Sequence, residues 1–301
     1  MLKRTITGFF ILLVTAGFIA LREVSLLFFD AFALAIMIGS IVEMSMACKV
    51  SNKKVNKLLL FVYAILITCI FIFNGKYIDT ALLLILVLLL LMFILLMIKE
   101  LIRNAILRKR GETIADENEL NQSLLNETKN TLEIMIYPTT LLSFLIGINH
   151  FGLNIGYVGI IMTFAISMFT DVFAYLFGSL IKGAKMAPEI SPKKSIAGMI
   201  FGALGGILAS GLAYLCFVHF GLLGDCFAHL QPMTIGVIFG CAGLFGTFLT
   251  QFGDLVASAY KRKAGIKDFG SIFPGHGGFM DRVDGLMFTG VLIYILFALF
   301  V

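Results

Sequence analysis

Long uninterrupted runs of apolar residues dominate the pattern along this chain. The run from Ala81 to Ile98 contains no polar residue and has the length, about 18–20 residues, that lets a helix cross the hydrocarbon core of a bilayer. Comparable apolar segments predict spans near 6–21, 25–48, 58–73, 79–98, 133–149, 154–181, 196–219, 232–257 and 285–301. The pattern therefore predicts an all-α integral membrane protein with about nine transmembrane helices.

Composition agrees with this interpretation and excludes an ordinary soluble domain. Of the 301 residues, 59% are hydrophobic and 14% are charged, and the mean hydropathy is +1.01. The first apolar run follows Lys3 and Arg4 as a signal peptide would. No small-residue cleavage site stands out and a second run follows almost at once, so we expect the first span to be retained.

The basic residues predict an orientation. With the N-terminus in the cytosol, 21 of the 23 Lys and Arg residues fall in inner loops, and only Arg22 and Lys76 fall outside. The net charge of +5 then belongs to one membrane face, where it suits anionic lipids and polyphosphates and requires no nucleic acid. The compact chain, without a long N-terminal extension, suggests a bacterial plasma membrane.

The chain divides into two regions by character. Residues 1–132 form an apolar N-terminal region whose last segment, 111–132, is polar and carries Leu120, Leu124 and Leu125 at helical spacing. This segment is either a solvated helix, an interfacial helix or a contact between subunits of a homodimer. Residues 133–301 carry the candidate chemistry. The five cysteines lie singly, without metal-binding spacing, and are expected to be buried, inert thiols.

A carboxylate within a predicted span is costly unless a cavity, partner or ion receives it. Asp30 and Glu43 lie within the span 25–48 with no motif around them, whereas Asp171 and Asp254, in 133–301, lie among other polar residues. Asp171, Tyr175, Gly178 and Lys182 lie on one helix face and suggest a wall of a wet cavity. A structural hydrogen bond between helices is the alternative. Asp254, Ser258 and Lys261 also share one face of a helix, and we call each of these two sets a stripe. For the second stripe, the alternative to a cavity wall is an ion pair within the helix.

The loop at 182–195 is basic and precedes a glycine-containing span. Lys182, Lys185, Lys193 and Lys194 accompany Ser191 and Ser195, either of which could cap the following helix. A helix start with nearby lysines favours an anion, although a basic loop also follows from topology alone. Gly198, Gly202 and Gly206 recur every four residues, which is typical of close helix packing.

The densest chemistry lies in 258–284, SAYKRKAGIKDFGSIFPGHGGFMDRVD. Gly275, Gly277 and Gly278 permit the backbone geometry that holds anions, and His276 is either a phosphate contact or a turn residue. Asp281 and Asp284 share a helix face if the segment is helical, and a hard cation such as Mg²⁺ would relieve their repulsion. Arg282 could bind phosphate as a bidentate fork.

This segment resembles the signature of phosphatidate cytidylyltransferases, also called CDP-diacylglycerol synthases. The matching positions are Ser258, Lys261, Arg262, Lys267, Asp268, Pro274, His276, Gly277, Gly278, Asp281, Arg282 and Asp284. Upstream, DVFAYLFG and SPKKS are also similar to family segments. Ser195 replaces the usual Thr, and Ala197 stands where many members have an acid. The resemblance is firm from Asp171 to Leu286 and loose over the first 130 residues.

The resemblance implies that CTP and phosphatidate react to give CDP-diacylglycerol and pyrophosphate at the cytosolic membrane face. It implies that Asp254 approaches Asp281 and Asp284, and these three are the expected Mg²⁺ ligands; whether a second cation binds stays open. Catalytic roles are expected for those acids with Lys261 and Arg282. Substrate contacts are expected from Asp171, Ser191, Lys193, Lys194, Ser258, Arg262, Lys267, Asp268, His276, Gly277 and Gly278.

Two other functions are compatible with parts of the sequence. Another CTP-dependent lipid enzyme, such as a polyprenol kinase or an archaeol cytidylyltransferase, would share the nucleotide and metal chemistry and differ in the acceptor. A transporter using Asp171 as an ion or proton site would have no use for PGHGG beside DRVD.

Overall fold

The structure, a computed structural model, describes residues 2–109, 117–181, 183–221, 223, 227 and 230–300. The helices are α1 (Leu2–Leu21), α2 (Leu26–Val50), α3 (Lys57–Asn74), α4 (Ile78–Lys109), α5 (Glu117–Ile134), α6 (Leu141–Asn149), α7 (Leu153–Leu180), α8 (Ile196–His219), α9 (Pro232–Ala264), α10 (Met280–Val283) and α11 (Leu286–Phe300). A kinked segment, Met135–Thr140, joins α5 to α6, and Tyr137 within it has the extended geometry φ −124°, ψ 112°.

Seven helical stretches within the described residues are long and apolar enough to cross a membrane. The other two predicted spans correspond to shorter apolar helices, Thr5–Leu21 and Leu286–Phe300. The chain is therefore a helical integral membrane protein. One element departs from the all-α prediction, because the basic loop contains an antiparallel hairpin of β1 (Lys185–Ala187) and β2 (Ser191–Ser195).

The region 133–301 is built around α7, α8 and α9, which pack side by side, with α11 against α6, α7 and α9. Small residues allow this approach, as predicted for α8. An added Cβ at Gly198 would lie 2.9 Å from the Ala174 carbonyl oxygen, and one at Gly202 would lie 3.2 Å from that of Thr170. The α8 glycines are thus packing residues.

Arg22, one of the two cations outside the predicted inner loops, is fully buried. Its guanidinium donates to the Asn149 side chain at 2.5 Å and to the carbonyl oxygens of Asn149, Gly152 and Leu153 at 2.7–3.1 Å. Asn149 in turn donates to Asp30 of α2 at 2.8 Å. This cluster joins α1, α2, α6 and α7 at the ends remote from the hairpin, so Arg22 satisfies helix-end carbonyls.

The polar segment 111–132 is not a lone solvated helix where the structure describes it. Glu127 and Thr131 of α5 are buried. Glu127 accepts from Lys99 of α4 at 2.7 Å, and Thr131 accepts from the Asn56 N–H at 2.9 Å. Residues 111–116 and the side chains of Leu120 and Leu124 lie outside the described part. Four cysteines, at 48, 69, 216 and 241, are free thiols, but none of the four is buried as expected, and Cys69 and Cys216 are exposed. Cys226 is not described.

Candidate active site

A cavity of about 390 Å³ lies where α7, the hairpin, α9 and the segment around α10 meet. Nine of the predicted catalytic and substrate-binding residues line it: Asp171, Lys194, Asp254, Ser258, Lys261, Asp268, Asp281, Arg282 and Asp284. They come from four separate parts of the chain, and they bring three cations and five carboxylates to one space. We call this space the polar cavity.

Two glycines bring Asp254 and Asp284 together. An added Cβ at Gly253 of α9 would lie 2.2 Å from the Asp284 carbonyl oxygen, and one at Gly285 would lie 2.8 Å from the Thr250 carbonyl oxygen and 3.0 Å from Asp254 Oδ1. The two backbones therefore touch where both acids stand. The approach of Asp254 to the DRVD segment, which the resemblance implied for both of its acids, is present for Asp284.

Asp254 is paired across the cavity. Its Oδ2 accepts from Lys194 Nζ at 2.7 Å, and the same ammonium lies 3.3 Å from the Gln251 carbonyl oxygen. The ion pair within α9 that the Asp254–Ser258–Lys261 stripe allowed as an alternative is therefore not what Asp254 makes. The prediction that these three side chains share one face is confirmed, because all three line the polar cavity.

Asp281 is held by several donors and is almost fully buried. Lys261 Nζ donates to its Oδ1 at 2.8 Å, while the N–H groups of Phe269 and Gly278 donate to its Oδ2 at 2.8 and 3.0 Å. The glycine-rich loop was expected to hold an anion with its backbone. One anion that it holds is the carboxylate of Asp281, which ties the loop to α9.

The PGHGG segment forms a tight turn closed by Phe273 and Gly277. Gly275 and Gly277 have φ of 79° and 77°, the left-handed region that favours glycine. Gly278 serves another purpose, since an added Cβ there would lie 2.1 Å from Glu43 Oε1. His276 lies outside the polar cavity, and its ring faces Gly8 of α1, where an added Cβ would be 3.5 Å from Nε2.

The α7 stripe is confirmed in part. Asp171 and Tyr175 line the polar cavity, as expected for a wall of a wet space. Gly178 instead permits packing on α8, because its added Cβ would lie 3.1 Å from the Gly198 Cα. Lys182 lies outside the described residues.

The hairpin delivers Lys194 and caps α8. Ser195 Oγ accepts from the Gly198 N–H at 3.1 Å, so Ser195 is the cap that the sequence left undecided between it and Ser191. Ser191 does not line the polar cavity. The side chain of Lys193 lies outside the described part.

Several other residues predicted to bind substrate do not line the polar cavity. Arg262 points to the hairpin and donates to the Ile190 carbonyl oxygen at 3.3 Å. Lys267 is exposed, and Gly277 and Gly278 shape the loop. Sequence reasoning missed Gln251, which lines the cavity and is one α-helical turn before Asp254.

The carboxylates of the polar cavity repel one another. Burial raises the pKa of Asp284 well above its usual range, and the charges of Asp254 and Asp171 raise it further, while Lys261 and Arg282 act in the opposite direction. Among the described residues no group of three or more His, Cys, Asp or Glu side chains is arranged to hold a metal ion. Asp254 and Asp284 are the acids whose proximity best suits a shared cation.

Comparison with known proteins gives consistent similarities. The sequence profile of the cytidylyltransferase family matches residues 2–300. A phosphatidate cytidylyltransferase of Staphylococcus aureus (strain COL) is 40% identical over 137 residues, which are 46% of this chain and 48% of that protein. Phosphatidate cytidylyltransferase 4, chloroplastic, of Arabidopsis thaliana is 39% identical over 141 residues, 47% of this chain and 32% of that protein.

A third relative, the phosphatidate cytidylyltransferase of Brucella abortus biovar 1 (strain 9-941), is 37% identical over 145 residues, 48% of each chain. The chain thus spans about half the length, or less, of the curated relatives that it matches.

Proposed function

The chain belongs to the cytidylyltransferase family, and we propose that it is a CTP:phosphatidate cytidylyltransferase of phospholipid biosynthesis. In this reaction a phosphate oxygen of phosphatidate forms a bond to the α-phosphorus of CTP, and the bond from that phosphorus to the pyrophosphate oxygen breaks. CDP-diacylglycerol and pyrophosphate result. The observation that carries the proposal is the single cavity in which Lys194, Lys261 and Arg282 face Asp254 and Asp284.

The cations suit two substrates that are both anions. Two phosphate groups must approach each other, so their charge has to be neutralised and their atoms aligned. Arg282 lines the polar cavity and is exposed there, so its planar guanidinium is available to bind phosphate. Lys194 pairs with Asp254 and would exchange part of that contact for a phosphate oxygen. The attacking oxygen belongs to the substrate, so no protein nucleophile is required.

The donor set fits Mg²⁺ in the manner usual for nucleotide enzymes, with one or two carboxylates, substrate phosphates and water as ligands. We propose Asp254 and Asp284 as the protein ligands, with Asp171 facing the same space. Asp281 would join them only by giving up its ion pair with Lys261. When bound, the cation would neutralise phosphate charge and polarise the α-phosphorus.

The proposed placement in the membrane follows the basic loops. With nine spans and a cytosolic N-terminus, the hairpin and the 258–284 segment lie on the cytosolic side, where CTP is available. The short helices Thr5–Leu21 and Leu286–Phe300 would complete the nine. The polar cavity would then lie where soluble CTP and a lipid of the inner leaflet both reach it.

The decisive experiment measures pyrophosphate release from CTP by the purified protein in detergent, with and without phosphatidate and Mg²⁺. We expect release only when both are present, together with a lipid product that has the mass of CDP-diacylglycerol. A polyprenol alcohol and archaeol phosphate are tested in parallel. Turnover with either of these and none with phosphatidate would overturn the proposal, as would ion flux without nucleotide cleavage.

A further inference from the structure

A second cavity adjoins the polar cavity and differs from it in chemistry. It has a volume of about 350 Å³ and lies between α1 and α7, with Leu12 and Ala16 on one wall and Phe164 and Met168 on the other. We call it the side groove. Asp171 and Arg282 line both spaces, so the side groove adjoins the polar cavity at these two residues.

Polarity changes along the side groove. Its inner end carries Asp171, Arg282 and His276, and the wall that α1 contributes is almost entirely apolar. An apolar recess, also about 350 Å³, continues it along α7 and shares Ile19, Phe164 and Met168. An end that carries the guanidinium of Arg282 beside the acid Asp171, joined to a long apolar channel, matches a ligand with a phosphate head and hydrocarbon tails.

We propose that the side groove binds an acyl chain of the lipid substrate and places its phosphate at Arg282, facing the polar cavity. This proposal rests on the proposed function for the identity of the lipid as phosphatidate. The periodicity of α1 supports it, because Gly8, Leu12, Ala16 and Ile19 present one helix face to the groove. The first helix would then be part of the lipid site.

Two adjacent small residues of α1 provide a matched test. Ala16 lines the side groove, whereas an added Cβ at Gly17 would meet no atom within 4 Å. Ala16→Phe should fill the groove and raise the KM for dioleoyl phosphatidate about tenfold, equivalent to the lost burial of about two methylene groups. The KM for CTP should stay unchanged. Gly17→Phe should leave both constants unchanged, and equal effects of the two variants would overturn the proposal.

A binding measurement separates this proposal from the proposed function. Phosphatidate with a diazirine midway along one acyl chain should label α1 within 8–19 and α7 within 164–172. Unlabelled dioleoyl phosphatidate should suppress this labelling and dioleoyl phosphatidylcholine should not. Equal competition by phosphatidylcholine would mean that the groove holds any bilayer lipid, which overturns the proposal.

Failure of the groove proposal and failure of the proposed function give different experimental results. Labelling that phosphatidate suppresses, in a protein that forms no CDP-diacylglycerol, would leave the groove standing and refute the proposed function. Normal formation of CDP-diacylglycerol with labelling outside α1 and α7 would support the proposed function and refute the groove.

A separate observation concerns Glu43, a buried carboxylate in the middle of α2. Its Oε1 accepts from the Phe279 N–H and its Oε2 from the Met280 N–H, both at 2.9 Å. These groups begin α10, the turn that carries Asp281 and leads to Asp284. A carboxylate at a helix start satisfies N–H groups that lack a partner within the helix.

The contact around Glu43 is closely fitted. Added Cβ atoms at Gly270 and Gly278 would lie 2.2 and 2.1 Å from Glu43 Oε1, and one at Gly39 would lie 2.4 Å from the Phe279 ring. Gly39 and Glu43, one helical turn apart on α2, therefore receive Phe279 and the start of α10. The N-terminal region thus contacts the loop that carries the acids.

We infer that Glu43 is a positioning residue, which fixes the orientation of α10 and through it the placement of Arg282 and Asp284. It lies outside the lining of the polar cavity, so its effect on turnover passes through the loop. This explains a buried acid in a part of the chain where the sequence showed no motif.

Amide hydrogen exchange and kinetics on Glu43 variants test the inference. In Glu43→Ala, exchange at 278–284 should rise at least about tenfold, because two helix-starting N–H groups lose their acceptor. The kcat per folded molecule should fall by a similar factor. Glu43→Gln keeps one acceptor oxygen and should restore part of both. Unchanged kcat in folded Gln and Ala variants, with exchange confined to the wild-type level, would refute the inference.

Asp30 provides the control. It is a second buried acid of α2, bonded to Asn149 and His150 at 2.8 and 2.9 Å near the other end of the helix. Asp30→Asn should lower thermal stability without changing exchange at 278–284 or kcat. An equal effect of Asp30→Asn on both readouts would show that Glu43 acts through stability alone.

Discussion

Asp281 and Asp284 lie three residues apart and have different environments. Asp281 is bonded to Lys261 and to two backbone N–H groups, so its charge is compensated by the protein. Within the described residues, the carboxylate of Asp284 accepts a single hydrogen bond, from the N–H of Gly285. The pKa of Asp284 is raised by burial and by Asp254. The first acid is therefore suited to hold the loop and the second to receive a cation.

Substituting each acid by its amide should separate these roles. Asp284→Asn should lower turnover at least about a hundredfold, because a charge-stabilising metal contributes several kcal/mol. Its melting temperature without Mg²⁺ should rise, since a disfavoured charge is removed. Asp281→Asn should destabilise the fold by about 3 kcal/mol, the cost of breaking a buried ion pair. Kinetics and thermal unfolding in Mg²⁺-free buffer check both.

Lys261 provides the control for Asp281. If the pair is structural, Lys261→Met should destabilise the protein, and Asp281→Asn in that background should add much less than it does alone. A metal role for Asp281 would be supported instead if Asp281→Asn kept its stability and lost only Mg²⁺-dependent activity.

At the scale of elements, α9 brings Asp254 to the DRVD segment through a glycine. Gly253→Ala would place its Cβ 2.2 Å from a backbone oxygen, an atom that cannot rotate away. We expect turnover to fall about tenfold or more, since small misplacement of reacting groups is costly. Gly240→Ala on the same helix meets no atom within 4 Å and should keep full activity. Steady-state kinetics on both variants distinguishes the two outcomes, and equal activity would contradict the contact.

The elements show what the sequence could and could not predict. Apolar runs located the helices, and the packing of Gly198 was predictable from its four-residue spacing with Gly202 and Gly206, whereas local spacing narrowed the cap of α8 only to Ser191 or Ser195. The pairing of Asp254 with Lys194 joins residues 60 apart, and that of Glu43 with Phe279 joins residues 236 apart. Neither leaves a periodic signal. For Asp254 the sequence offered an ion pair within its own helix as the alternative, and for Glu43 it offered no partner.

On the scale of the whole molecule, the orientation is open to a labelling test. In a cysteine-free background, a cysteine at the exposed Lys76 should react with a membrane-impermeant maleimide from outside intact cells. One at the exposed Lys53 should react only in inverted vesicles, because basic loops stay in the cytosol. The opposite pattern, or labelling of both from one side, would require another topology.

Arg22 fixes one end of the contact between α1 and α7. Its bonds to Asn149, Gly152 and Leu153 fasten α1 to the start of α7, and Gly8 beside His276 lies 14 residues away along α1, about 21 Å. A pair of helices fixed at one end can separate only at the other. If α1 lines the lipid site as proposed, Arg22 would act as the fixed point about which α1 moves away from α7 at the end that carries Gly8.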